Sequence, residues 1–135
     1  LSPSGPSIRC ASEPILIFSK GGRGRGIVSG EGYGACVRGD MSKDEWMEWT
    51  LDTWFVRGES DPDHPAVFPI EIPRRLVMLY TYPGERVIDL FDGRGSTGVA
   101  CVKTGRRFIG IDIHEPYCEI AKQRIKEAML QPRML

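Results

Sequence analysis

The sequence predicts an α/β fold in which two parallel strands are flanked by helices. An apolar run at residues 87–91 ends at the glycine turn Gly93-x-Gly95 and is followed by a helical pattern that a further glycine ends. A second apolar run at 107–112 ends in an acid and precedes a long amphipathic helix at 115–130. Because consecutive strand, helix and strand form a right-handed crossover, the two strands are expected to pair in parallel.

Three further elements are predicted upstream of this unit. Residues 14–18 are a short apolar run between a proline and a Lys-Gly pair, which favours a buried strand. Residues 42–48 begin with Ser42 and Glu45 in capping-box spacing, which predicts a short helix. Residues 69–81 are predicted to form a second helix. Its expected buried stripe is Ile72, Leu76, Leu79 and Tyr80, opposite Arg74 and Arg75.

Three tryptophans, Trp46, Trp49 and Trp54, lie close together after the capping box. Rings in such a cluster either stack on nucleic-acid bases or pack a loop onto the core. Packing is the commoner role, and we expect it here.

Residues 21–39 hold much of the chain's glycine, in part alternating with arginine. Such a segment has too little apolar surface to offset its backbone entropy, so it is predicted to be a mobile loop. Its basic residues are either ordinary solvated side chains or a clamp on a phosphate backbone. The candidates for DNA binding are Lys20, Arg23, Arg25 and Arg38.

The composition is that of a globular protein with one core: 135 residues, 41% hydrophobic and 27% charged. The net charge is zero, so any nucleic-acid binding must use a local basic patch. The four cysteines have no metal-ligand spacing and indicate a reduced, cytoplasmic protein, with Cys101 buried in a helix. No apolar run is long enough to span a bilayer. The chain begins with Leu1, which suggests processing or a missing segment.

The ends of the two predicted strands carry the chemistry. The glycine turn leads into a helix N-terminus, where unpaired N–H groups favour an anion. Asp112 ends the next strand about 20 residues later, which is where dinucleotide-type folds place an acid on ribose hydroxyls. Glycine is expected at 93 and 95 because a Cβ there would hold a ligand off the backbone. The pattern therefore predicts a nucleoside cofactor.

These residues resemble a known family. The stretches D-L-F-D-G-R-G-S-T-G and G-R-R-F-I-G-I-D-I-H-E-P-Y-C-E-I-A-K-Q-R-I are similar to the S-adenosylmethionine-binding half of β-class DNA amino-methyltransferases, whose motif is D-P-F-x-G-S-G-T-T. Residues 64–69 resemble the His-Pro box before that motif, residues 52–54 its D-x-W segment, and residues 14–20 the strand after the catalytic region. The resemblance implies a Rossmann-like methyltransferase fold. It also implies methylation of the exocyclic amine of adenine (N6) or cytosine (N4) in DNA, as in restriction-modification.

Carried over by position, the resemblance implies a set of cofactor-binding residues. They are His64, Pro65, Phe68, Asp89, Phe91, Gly93, Gly95, Ser96, Thr97, Asp112 and Ile113. The turn would surround the methionine part, with its hydroxyls and backbone N–H groups on the ligand carboxylate. Asp112 would hold the ribose, and Ile113 would lie near the adenine. Two alternatives stay open: His64 as a turn residue capping the next helix, and Asp89 as a strand-end residue satisfied by backbone donors.

Three departures from the family pattern matter. Leu90 replaces a proline, which a buried strand should tolerate. Arg94 replaces a small serine and either pairs with the cofactor carboxylate or intrudes on the pocket. The catalytic [DNS]-P-P-[YFW] tetrapeptide, which holds the target amine of a flipped base, occurs nowhere in the sequence. The Glu-Pro-Tyr at 115–117 is read as a helix N-terminus instead.

The missing tetrapeptide leaves the catalytic residues unknown and predicts that this chain alone transfers no methyl group. Residues 1–62 are then a glycine-rich region with one strand and a possible DNA-recognition segment, and residues 63–135 the cofactor-binding half of a methyltransferase domain. Without the strands nearest the catalytic motif, the sheet is expected to have an uncovered edge beside the first strand. The chain is a truncated enzyme, or one half of a split enzyme or a self-associating fragment that covers this edge with another chain, or a non-catalytic cofactor-binding or interaction module.

Overall fold

The computed structural model describes residues 13–18, 20, 41–58 and 68–131. These residues form α1 (Lys43–Trp49), α2 (Glu71–Tyr80), β1 (Arg86–Asp89), α3 (Ser96–Lys103), β2 (Arg107–Gly110) and α4 (Glu115–Leu130). The two strands pair in parallel, with Arg86 opposite Arg107 and Asp89 opposite Gly110. The predicted strand, helix and strand crossover is confirmed. Both strands end two residues before the predicted limits.

The helix α3 lies at the centre of the described structure. It contacts α2, α4 and β2. Its residues Val99, Ala100 and Cys101 are buried, and the Cys101 side chain is completely inaccessible. Burial raises the pKa of the Cys101 thiol to about 12, so this cysteine is a neutral core residue, as predicted.

The helix α4 has the predicted limits, Glu115–Leu130, and carries a proline in its first turn. Ala121 and Ala128 are its buried residues, so one side of this predicted amphipathic helix packs on the core. None of the helices in the described residues is both long enough and apolar enough to cross a membrane.

The helix α1 begins with the predicted capping box. The Glu45 N–H donates to the Ser42 hydroxyl at 3.1 Å, and the Ser42 N–H donates to the Glu45 carboxylate at 2.9 Å. Trp49, at the end of α1, is 3% exposed and packs with Met41 and Met78 of α2. The other two tryptophans pack against the same cluster, and the Trp54 Nε1–H donates to the Trp49 carbonyl. The packing role predicted for the tryptophans is confirmed.

The buried face of α2 differs from the prediction. Arg75 is buried at 8% exposure, whereas Tyr80 of the predicted stripe is 55% exposed. Arg75 is buried because it has partners: its guanidinium binds the carboxylates of Glu71 and Glu48 at 2.8 and 2.9 Å. It also lies over the Trp54 ring, 5.4 Å from the ring centre. The predicted stripe placed Arg75 on the polar side because arginine is charged, and so it did not include this buried face of α2.

The predicted strand at residues 14–18 is wrong for this structure. The segment does not form a strand, and Ile15, Leu16, Ile17 and Phe18 are exposed at 47, 72, 54 and 86%. The sheet in the described residues contains β1 and β2 alone, so this apolar run has no strand beside it. The predicted boundary between residues 62 and 63 lies outside the described residues, and the division there stays a prediction.

The sheet of β1 and β2 is covered on one face. Val87 and Phe108 lie on the face of the sheet that the helices cover, and both are partly buried. The opposite face carries apolar side chains exposed between 42 and 60%: Ile88, Leu90, Ile109 and Ile111. Parallel sheets are normally buried on both faces, so this surface requires a cover that the described residues do not supply.

Candidate functional site

The carboxyl ends of β1 and β2 come together as the sequence predicts. The Gly93 N–H, in the turn after β1, donates to Asp112 Oδ2 at 2.8 Å. Asp112 follows β2, so this bond joins the ends of the two strands directly. The glycine turn and the acid therefore lie side by side, and their role in binding a ligand stays a prediction.

Asp112 is held as an ionised carboxylate. Its Oδ1 accepts the N–H of His114 at 2.8 Å, while its Oδ2 accepts that of Gly93. The His114 N–H and then the Gly93 N–H hold the pKa of the Asp112 carboxyl below its usual value. Each carboxylate oxygen has a further lone pair, so Asp112 is able to accept hydrogen bonds from a ligand diol.

Asp89 has a different environment. Its Oδ1 accepts the Phe91 N–H at 2.9 Å, and its Oδ2 accepts the Thr97 hydroxyl at 2.7 Å. Both oxygens are therefore bonded within the chain, one to a backbone donor and one to a side-chain hydroxyl. The role of Asp89 in cofactor binding stays a prediction. The Asp89 carboxylate ties the end of β1 to the first turn of α3.

The two hydroxyls at the start of α3 donate within the chain. The Ser96 hydroxyl donates to the Phe68 carbonyl at 3.0 Å, and the Thr97 hydroxyl donates to Asp89. These bonds differ from the expectation that both hydroxyls donate to a ligand carboxylate. Backbone N–H groups in the first turn of α3 are the donors that a helix N-terminus leaves for an anion.

The two glycines of the turn have different requirements. Gly93 has φ of 54°, and a Cβ added to it would project into open space. Gly95 has φ of 80°, and a Cβ there would lie 2.8 Å from the Cβ of Ala121 in α4. The expectation that both glycines leave room for a ligand is consistent with the space beside Gly93. At Gly95, glycine is needed because α4 lies too close for a Cβ, and not because of a ligand.

Arg94 lies between these glycines and is partly buried. Its carbonyl oxygen accepts a hydrogen bond from the Arg124 guanidinium at an N···O distance of 2.7 Å, and this bond connects the turn to α4. Three apolar side chains near the strand ends are exposed. Phe68, Phe91 and Ile113 have exposures of 52, 89 and 104%.

Most of the remaining predicted residues lie outside the part of the chain that the structure describes. His64 and Pro65 lie outside the described residues, as do Arg23, Arg25 and Arg38. Lys20 is described and exposed.

Sequence reasoning missed Asp92. A Cβ at Gly110 would lie 2.7 Å from the Asp92 Cγ, so the carboxylate packs against the backbone of β2. Its Oδ1 is buried and has no hydrogen-bond partner among the described residues. Burial, followed by the charges of Asp89 and Asp112, raises the pKa of Asp92 to about 6, against the opposing effect of Arg124. The sequence feature that could have indicated Asp92 is that it is a third acid close to Asp89 and Asp112 at the ends of the two strands.

Asp92 is expected to lower stability at neutral pH. Its folded pKa lies above the unfolded value of about 4, so stability is greatest below about pH 4 and falls as the pH rises to about 6. Asp92→Asn should raise the free energy of unfolding by about 1–2 kcal/mol at pH 7. This is less than the pKa shift alone implies, because water screens the partly exposed carboxylate. Urea unfolding at pH 7 measures this gain.

The same unfolding series at pH 4 should show almost no difference between Asp92→Asn and the unchanged chain, because both are then neutral at this position. Asp52→Asn, at an exposed position, is the matched control and should have little effect at either pH. A stabilisation of equal size at both pH values would contradict the assignment to charge.

Comparison with known proteins gives one consistent family. The profile of a DNA methylase family, that of the N6/N4 DNA methyltransferases, matches residues 2–123. The type II methyltransferase M.BglI of Bacillus subtilis is 35% identical over 91 residues, which are 66% of this chain and 26% of that protein. M2.DpnII of Streptococcus pneumoniae is 40% identical over 91 residues, which are 65% of this chain and 32% of that protein. The chain thus spans about a quarter to a third of these relatives.

Solved structures support the same fold. A protein of Thermus thermophilus classed as a DNA modification methylase has a TM-score of 0.59 and 26% identity, over 71% of this chain and 40% of its own length. Its complex with S-adenosyl-L-methionine has a TM-score of 0.62 and 23% identity, over 87% of this chain and 49% of that one.

Proposed function

Because the chain belongs to the DNA methylase family of N6/N4 amino-methyltransferases, we propose that it forms the S-adenosylmethionine-binding part of a site-specific DNA methyltransferase. The substrate is the exocyclic amine of adenine (N6) or cytosine (N4) in DNA. The observation that carries this proposal is the Asp112 carboxylate, which two backbone N–H groups hold at the end of β2. Its remaining lone pairs suit the two hydroxyls of a ribose.

The residues around Asp112 fit the rest of such a cofactor. The open space beside Gly93 allows a ligand to approach the turn. The exposed rings and side chains of Phe91 and Ile113 offer apolar surface for an adenine. His64, Pro65 and Phe68 are proposed to close the amino-acid end. When bound, the cofactor supplies a sulfonium methyl group for direct transfer to an amine, and this part of the protein contributes binding and positioning.

The catalytic tetrapeptide is supplied from outside this sequence, either by another part of the same polypeptide or by a second chain. The exposed face of Ile88, Leu90, Ile109 and Ile111 supports such a partner, because a parallel sheet needs both faces covered. The chain alone therefore transfers no methyl group. The DNA contacts are proposed to include Lys20, Arg23, Arg25 and Arg38, which would bind phosphates.

A second candidate is a split or inactive fragment that acts as a cofactor-binding or interaction module. The uncovered sheet face favours it as well. Size-exclusion chromatography with light scattering separates a self-associating chain from a monomer that needs a different partner.

Asp112→Asn tests cofactor binding. The amide keeps the shape of the side chain but removes its charge and one acceptor oxygen. Loss of the charge-assisted bonds to the ribose should weaken S-adenosylmethionine binding about 10- to 100-fold. Isothermal titration calorimetry measures the Kd.

Asp44→Asn is the control for this experiment, since it removes an exposed acid of α1 outside the family motifs and should leave the Kd unchanged. No detectable binding of S-adenosylmethionine to the unchanged chain at millimolar concentration would refute the proposed function. Equal affinities for the unchanged chain and Asp112→Asn would refute the role of Asp112.

A further inference from the structure

The outer edge of β2 has no neighbouring strand among the residues that the structure describes. The N–H groups of Arg107 and Ile111 donate to carbonyls of β1 and of the residue just before it, at 2.8 and 2.9 Å. Because successive residues of a strand face opposite sides, the N–H and C=O groups of Phe108 and Gly110 point to the outer edge. This edge therefore presents the donors and acceptors that an added extended peptide would bind.

A groove lies along this edge, between β2 and α4. Its volume is about 830 Å³, which is within the usual range of ligand sites in proteins. Its apolar lining includes Phe108 of β2, Val102 of α3, and Ile125 and Met129 of α4. Met129 is 64% exposed, so apolar surface is accessible on the side of α4. Apolar side chains of an added strand would be buried against this lining.

The rim of the groove is basic. Arg86 and Arg107 both line it and lie opposite each other in the register of the two strands, where like charges repel. Lys122 and Lys126 of α4 line the other side, and Lys122 pairs with Glu119 at 2.6 Å. Arg86 and Lys126 form no ion pair with any residue that the structure describes. Carboxylates brought to this rim would offset the repulsion between its positive charges.

We propose that the groove binds an extended acidic peptide segment of a partner protein, which adds a strand to the outer edge of β2. The backbone of the segment bonds to Phe108 and Gly110, and its apolar side chains contact the lining on the side of α4. Its carboxylates bind Arg86, Arg107 and Lys126. A peptide fits this edge better than nucleic acid does, because a phosphodiester backbone supplies acceptors but no donors for the β2 carbonyls.

This docking surface is separate from the proposed cofactor site. Arg86 and Arg107 begin β1 and β2, whereas Asp112 follows the carboxyl end of β2. The two sites are therefore at opposite ends of the strands. The inference does not depend on the proposed function, and it stands whether or not the chain binds S-adenosylmethionine.

The probe for this surface is a capped peptide of alternating valine and glutamate that carries a fluorophore. Fluorescence anisotropy with the full chain at low ionic strength should show saturable binding. Arg86→Gln and Lys126→Gln should each weaken it about 2- to 5-fold, and the two together about 5- to 20-fold. Both side chains are exposed, so these variants are expected to fold. Lys43→Gln removes an exposed lysine of α1 and should leave the affinity unchanged.

Hydrogen exchange followed by NMR locates the bound peptide. The amides of Phe108 and Gly110 should exchange more slowly when the peptide is bound, because they gain backbone partners. The amides of Arg107 and Ile111 are the internal control. They already donate towards β1, so their exchange should change little.

Several results would overturn the inference. The first is no binding of the acidic peptide, or equal binding of a peptide of alternating valine and lysine. The second is peptide binding without slower exchange at Phe108 and Gly110. A DNA oligonucleotide that binds more tightly than the peptide, and loses that binding in Arg86→Gln, would assign the rim to phosphates. Light scattering that shows a dimer with both amides protected in the absence of peptide would assign the groove to a second copy of the chain.

Discussion

Gly95→Ala is expected to lower the free energy of unfolding by about 3–4 kcal/mol, from left-handed backbone strain of about 1 kcal/mol and overpacking of up to about 3 kcal/mol. Gly95 has φ of 80°, which side chains rarely adopt. The new Cβ would also lie 2.8 Å from the Cβ and 2.9 Å from the Cα of Ala121, so α4 would have to move away from α3. Urea unfolding measures the loss.

Gly84→Ala separates the two contributions. Gly84 has φ of 81°, almost the same as Gly95, but a Cβ there would meet nothing within 4 Å. Its cost should be about 1 kcal/mol, from backbone strain alone. If both substitutions cost the same, the close packing of α4 against the turn does not contribute, and our explanation of Gly95 is wrong.

Arg106→Ala should lower the free energy of unfolding by about 3–5 kcal/mol, because it leaves buried acceptors without their charged donor. Arg106 is 4% exposed. Its guanidinium donates to the Thr104 carbonyl at 2.6 Å and to the Thr81 carbonyl at 2.7 Å. It therefore connects the segment after α2 to the turn after α3. The midpoint of urea unfolding should fall accordingly.

Arg107→Ala, one residue further on, is the matched control. Arg107 is exposed, and its Nε–H donates to the Gly84 carbonyl at 2.8 Å. Removing it should cost less than about 1 kcal/mol, since water replaces the lost bond. An equally large loss for Arg107→Ala would show that the burial of the Arg106 guanidinium is not the cause.

The stability of the turn after β1 and the proposed cofactor site are linked. The turn that positions Asp112 depends on α4 through Gly95 and through the bond between Arg124 and the Arg94 carbonyl. A substitution that displaces α4 should therefore weaken the proposed cofactor site without touching the ligand. A residue has a direct role in cofactor binding if its substitution raises the Kd without lowering the free energy of unfolding.

Local chemistry in the sequence was sufficient for much of this structure. The capping box at Ser42 and Glu45 fixed the start of α1, because both bonds form between residues three apart. Gly105, with φ of 75°, ends α3 as expected of a glycine after a helix. The parallel pairing of β1 and β2 followed from the order of the elements and the handedness of the connection. The meeting of the glycine turn and Asp112 follows from that pairing.

The family was also accessible from the sequence, because its motifs are short, ordered and rich in glycine and acid. The methylase profile over residues 2–123 confirms it. The roles of individual site residues stay predictions. The chemistry of binding depends on a ligand and on segments outside the described residues.

What the sequence by itself determined was the succession of elements from α1 onwards and the place where the ends of β1 and β2 meet, since turns, caps and periodicity act over a few residues. Only the tertiary structure decided which side chains are buried and with which partners. Arg75 and Arg106 are core residues because distant acceptors and rings surround them. Asp92 is an unusual acid because it is partly buried against the backbone of β2 beside two other carboxylates, a placement that no local pattern encodes.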